Sequence, residues 1–298
     1  MLNKIFFPFA AVLMLAGLAS CSQDLPEGQD AVADTRAEMK FTFAHPSQAA
    51  RVTDTDFESG DKVGLFVAPA GSTLEIAGNE VNNEILTYTA GSWQARRALY
   101  WNAGTWDAYA YYPAFDEVTS TTDQPFSVST DQTVARSGET LGGYESSDFL
   151  HASATGLSAS ANPVRLTFRH VMSRVTVRLI KGEDYDGDIP DDAVVIIHNT
   201  VPEATIDLEG GVATRYLRGS VASIKARKDA TGVYSAIIVP QRLDTRQPLV
   251  EVLAGGVSYI FDSKFVFKAG VNHLVNLVID KNPDQLKIEI GGELTNWN

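Results

Sequence analysis

The chain has 298 residues, 44% of them apolar, and a formal net charge of −13. That charge excludes a surface built to hold nucleic acid or anionic lipid by electrostatics, and a single cysteine excludes an intramolecular disulfide framework. The length exceeds one ordinary sandwich-sized domain, so two domains are expected.

Taken in chain order, the first feature is a secretory signal. Lys4 precedes an apolar run over 5–17, too short for a membrane span, and Leu18-Ala19-Ser20-Cys21 follows it. Those four residues resemble the lipobox of bacterial lipoproteins. Residues 1–20 are therefore expected to be removed, and Cys21, the only cysteine, to carry the lipid. Residues 21–37 combine acids with Pro and Gly and have no aromatic side chain, as a solvated linker does.

From Met39 the apolar residues recur every second position: Met39, Phe41 and Phe43 alternate with Lys40 and Thr42. Further strands are predicted over 62–67, 85–89, 106–112, 125–129, 164–169, 175–180, 194–198, 204–208, 233–239, 249–253, 257–261, 264–267, 273–279 and 286–290. Each is rich in Val, Ile, Thr, Tyr or Phe and bounded by turn residues. Short strands at this spacing predict an all-β fold of sandwich type with no long amphipathic helix. In the Tyr-rich run 106–112 rings fall on both faces, so some are expected to reach the surface. The stretch 157–163, small and polar and ending in Pro163, predicts the boundary between an N-terminal domain (38–162) and a C-terminal one (163–298).

Four stretches, in this order, resemble the fimbrillin family, the lipoprotein pilins of Bacteroidales fimbriae. The first is Phe57-Glu58-Ser59-Gly60-Asp61-Lys62-Val63-Gly64-Leu65-Phe66, where Asp61 and Gly64 suit a turn entering a strand. The second is Tyr100-Trp101 with Trp106-Asp107-Ala108-Tyr109-Ala110-Tyr111-Tyr112-Pro113. The third is Ser147-Asp148-Phe149-Leu150, then Leu166 through Val177 with His170. The fourth is Phe267-Lys268-Ala269-Gly270-Val271-Asn272-His273. The resemblance implies two tandem transthyretin-like β-sandwich domains, export to the outer membrane as a lipoprotein, cleavage after an arginine and assembly by donor-strand exchange. The partners it implies are neighbouring pilin subunits, the membrane through the lipid, and host or bacterial surface ligands. The alternative is a monomeric outer-membrane surface lipoprotein that binds glycan or host protein through Trp93, Trp101 and Trp106.

Chemistry is sparse, and no enzyme activity or cofactor is expected. The five histidines are scattered, with no metal-ligand spacing. No Gly-rich phosphate loop, G-x-S-x-G or Cys/His pair occurs, and no spacing pairs two carboxylates across a glycosidase site. Asp184, Asp186 and Asp188 give 183–192 the start of a calcium loop. However, Gly187 falls too early, and Val195 stands where the closing acid belongs, so a solvated loop is the leading reading.

Two segments carry the assembly expectation. Met39, Phe41 and Phe43 mark the strand to be displaced. A cut that frees it must fall between it and the next strand, where Arg51 is the only basic residue before Lys62; Arg36 is the second choice. In the C-terminal segment 286–298, Leu286, Ile288 and Ile290 alternate with charges, and Gly291-Gly292 allows a bend that brings Leu294 and Trp297 into the apolar set. This is the expected donor strand.

Overall fold

A computed structural model describes residues 36–46, 56–280, 287–289 and 294–297. Among them the fold is all-β, with one short 3-10 turn at Glu145–Ser147. The first six-stranded sheet has the order β4 (Ser92–Ala95), β3 (Val81–Thr89), β2 (Lys62–Pro69), β5 (Thr105–Tyr112), β7 (Leu150–Ser158), β9 (Arg169–His170). β1 (Phe41–Ala44) and β8 (Val164–Thr167) form a separate parallel pair.

The other strands make three sheets. One runs β15 (Arg227–Ala230), β16 (Val233–Ile238), β10 (Ser173–Lys181), β19 (Val271–Ile279), β20 (Lys287–Glu289), with β21 (Leu294–Asn296) also on β19. The next runs β14 (Ala222–Lys225), β11 (Val194–Thr200), β17 (Gln241–Ala254), β18 (Val257–Phe267). The last is β13 (Val212–Arg215), β12 (Glu203–Asp207), β6 (Gln124–Ser127).

Two apolar cores result. The smaller lies between β1–β8 and one face of the first sheet, joining Phe41, Phe43, Leu166 and Phe168 to Val63, Leu65 and Trp101. The larger joins the opposite face, through Phe66, Tyr109 and Tyr111, to β10, β11, β16 and β17 through Val175, Val195, Ile237 and Val252. The central strands β2 and β5 are thus covered on both faces. Their interiors are buried without alternation, and Tyr109, Tyr111 and Tyr112 are all inside. The expectation of exposed tyrosines fails because the sheet is a middle layer, and such strands read as continuous apolar runs.

The segment 164–170, on the C-terminal side of the expected boundary, hydrogen-bonds to β1 and β7. β6, on the N-terminal side, pairs with β12. All described residues belong to one unit that begins at Arg36.

Candidate functional site

β1 is held lightly by its backbone and firmly by its side chains. Its ladder with β8 covers four residue pairs, Phe41 with Val164 through Ala44 with Thr167. Val164 N–H donates to Lys40 O at 2.8 Å, and Phe168 N–H to Ala44 O at 2.9 Å. On the other side Met39 N–H donates to Leu99 O at 2.8 Å, and Trp101 N–H to Ala37 O at 2.9 Å.

Met39, Phe41 and Phe43 are buried while Lys40 and Thr42 face solvent. Phe41 meets Trp101 at 6.1 Å between ring centroids, and Phe43 meets Trp93 edge-on at 5.0 Å and Phe168 at 5.6 Å. Phe57, the first described aromatic after the connection out of β1, closes the cluster against Trp93 and Tyr112. Between β1 and the edge strand β4 lies a cavity of about 660 Å³, lined by Phe41, Phe43, Leu86, Trp93 and Leu99 among others.

These contacts correct the glycan-binding alternative. Trp101 and Trp106 are only 2% and 9% exposed, Trp101 packed against Phe41 of β1 and both within the smaller core; of the three, only Trp93 is partly open. Gly64 also differs from expectation. It lies inside β2, paired with Tyr111, and not in the turn that precedes the strand.

Asp61 does serve the turn. It accepts the Glu58 N–H at 2.7 Å and the Arg136 guanidinium at 2.7 Å, with only 5% of its side chain exposed. This pair anchors the start of β2 beside the exit of β1.

The exit of β1 and Trp297 meet at His170. Its Nδ1 lies 2.8 Å from Asp148 Oδ1. Its ring stacks on Trp297 with centroids 3.7 Å apart and planes within 7°, and lies edge-on to His45, just past β1, at 5.8 Å. The Trp297 backbone N–H donates to Gly270 O at 3.0 Å. β20 and β21 both run antiparallel to β19 of the same chain, so the C-terminal segment sits on its own sheet edge. Nothing in the sequence pattern marked Trp297 as His170's partner, since 127 positions separate the two.

Arg36 is exposed, hydrogen-bonds Asn102 Oδ1 at 2.7 Å and lies over the Tyr100 ring at 5.5 Å. Cys21, Arg51, Leu286 and Ile290 lie outside the described residues, as do the side chains of Ile288 and Leu294. Asp184, Asp186 and Asp188 are exposed, and Asp188 pairs with Lys181 at 3.5 Å. Among the described residues no group of three His, Cys, Asp or Glu is placed to share a metal ion.

The layered all-β architecture, closed at one face by a short N-terminal strand, defines the class of protein. The fimbrillin-like family model matches residues 50–297, and the chain belongs to that family. A protein of Bacteroides ovatus that carries the provisional name fimbrium tip subunit Fim1C is 29% identical over 184 residues. That match covers 56% of this chain and 33% of the relative, so the chain spans about a third of that protein's length.

Two crystal structures share the fold. One, provisionally described as a cell adhesion protein from Bacteroides uniformis, aligns with a TM-score of 0.66 at 18% identity, over 89% of this chain and 99% of that one. The other, similarly described and from Bacteroides ovatus, aligns at 0.64 and 17% over 89% and 98%. At this identity the likeness is one of fold.

Proposed function

We propose that the chain is a cell-surface fimbrial subunit or fimbria-associated adhesin, exported to the outer membrane as a lipoprotein anchored through Cys21. After cleavage at Arg51, β1 leaves, and the segment 286–298 of a neighbouring subunit takes its place. The observation that carries this reading is β1 itself. Three buried apolar side chains fill an aromatic groove, but the strand is held by one four-residue ladder and a few flanking hydrogen bonds. A strand of that kind can be exchanged for another of the same alternation without rebuilding the core.

The position of Arg51 supports the same reading. It lies between β1 and β2, so a cut there crosses no described strand. The family match begins at residue 50, beyond β1. A cut at Arg36 would remove the linker and leave β1 in place, giving release without an open groove. The proposed partners are other pilin subunits, the membrane through the lipid, and host or bacterial surface ligands.

The test is digestion of the folded protein with an arginine-specific protease, followed by mass measurement and gel analysis. We expect a fragment that begins at Val52 and ladders that grow after the cut. If Arg51 resists digestion, or if the cut protein stays monomeric, the exchange reading fails.

A further inference from the structure

The edge where the two C-terminal sheets meet holds a cavity of about 200 Å³, lined by Thr133, Val194, Lys225, Arg227, Lys228 and Tyr234 among others. In a chain with net charge −13, every ionised side chain lining this cavity is basic. Two of the cations have carboxylate partners, but those lie outside the lining. Lys228 Nζ donates to Asp191, whose side chain is 80% exposed, and Arg227 Nε donates to Asp229 Oδ1 at 2.9 Å. The Arg227 guanidinium also lies 3.6 Å over the Tyr144 ring, which fixes its place.

A second, independent feature points to a ligand. Tyr234 is 2% exposed, and its buried hydroxyl has no hydrogen-bond partner in the protein. A buried donor in that state is normally paired. Lys228 is its direct cross-strand neighbour, and the Asp191 and Asp192 carboxylates act on the same hydroxyl from beyond the lining. At about 30 Å³ of liquid volume for each water, the space takes roughly six waters, about the size of one monosaccharide.

We propose that this cavity binds a small ligand through an oxyanion, held by Lys225, Arg227 and Lys228 with Tyr234 O–H as a donor to it. The chemistry has two sources: the carboxylate of an acidic sugar, or a free inorganic oxyanion such as phosphate. The site stands whether or not the chain polymerises, because none of its residues belongs to β1 or to the segment 286–298.

The test is ligand-observed NMR titration of the intact chain with galacturonate, galactose and inorganic phosphate. The same titrations are repeated on Lys225→Glu and Tyr234→Phe, each first checked by circular dichroism. Saturable binding of galacturonate but not galactose is expected. Lys225→Glu should weaken it at least tenfold, Tyr234→Phe about threefold, and added salt should weaken it further. Galacturonate binding tighter than phosphate assigns the site to acidic sugars; phosphate binding as tightly assigns it to free oxyanions. The proposal is overturned if neither anion binds saturably to the wild-type chain, if galactose binds as well as galacturonate, or if both folded variants bind unchanged.

Discussion

Gly64 has no side chain because the Tyr111 ring occupies the space where a Cβ would go. That ring cannot retreat: its hydroxyl is bonded to Asn83, and its face stacks on Phe149 at 5.9 Å. Gly64→Ala therefore overpacks the middle layer and should cost about 1–3 kcal/mol, read as a lower urea midpoint. In a Tyr111→Leu background the same substitution should cost much less, and equal costs in both backgrounds would refute the account. His151 sets a pH dependence. It is 2% exposed, its Nε2 lies 2.9 Å from Leu208 O, and burial, with Arg169 beside it, pushes its pKa down to about 4. Below about pH 6.5 the unfolded chain takes up a proton that the folded chain refuses until about pH 4. Stability is thus complete above pH 6.5 and falls as the pH falls between those values, by up to about 3 kcal/mol at about 1.4 kcal/mol per unit. His273, pushed to about 4 by burial and then by Lys268, adds a loss in the same window. His151→Gln keeps an N–H for Leu208 O but cannot titrate. Its urea midpoint should drop less between pH 7 and 4.5 than the wild type's, and parallel drops would exclude His151 as the cause.

At the scale of strands, β1 was legible because only one of its faces is buried. Alternation then shows directly which side chains point inward, and Met39, Phe41 and Phe43 do. The central strands β2 and β5 were located by their apolar runs, but the coverage of both faces was not legible, since the second cover comes from strands far along the chain, beginning with β10. β7 was missed altogether. Its sequence, LHASATGLS, lacks strand-forming bulk: Ser153 lies opposite the large Tyr109, and Ala152 opposite Ala110. The cationic cavity was illegible for a similar reason: Lys225, Arg227 and Lys228 form a cluster in the sequence, but Tyr234 and Thr133 reach them only through sheet pairing. The loose attachment of β1 gives an element-scale prediction. A chain comprising residues 52–298 should fold with the β-rich circular dichroism of the parent and bind a synthetic peptide of residues 286–298. Phe41 and Phe43 account for roughly 3–6 kcal/mol of burial, at about 1.5–3 each, which the peptide's apolar face has to match. Failure of the peptide to bind, with the truncated chain folded, would count against strand exchange.

For the whole molecule the C-terminal segment decides between two arrangements. In the free chain β20 and β21 lie along β19, and Trp297 is stacked on His170 beside Arg174, 4% exposed. A donor role requires that this segment leave β19 and enter a neighbour's groove, so the attachment has to be weak enough to exchange. Among the described residues, β20 and β21 each hold β19 by a ladder of three residue pairs. Among the segment's described side chains the large anchor is Trp297, whose removal should cost about 3–5 kcal/mol if its site does not collapse. Deletion of 286–298 removes the anchor and both short strands but leaves β10, β16 and β19 paired. We expect a chain that still unfolds cooperatively at a lower urea midpoint, keeps its β-rich circular dichroism, accepts the parent's C-terminal peptide after the Arg51 cut, and forms no ladders by itself. Outright unfolding would mean that the segment belongs permanently to its own sheet, and ladders from the truncated chain would mean that another strand is the donor. Because the truncated chain keeps its own groove while losing its own donor, it should also cap growing polymers of the intact chain, shortening them in proportion to the amount added.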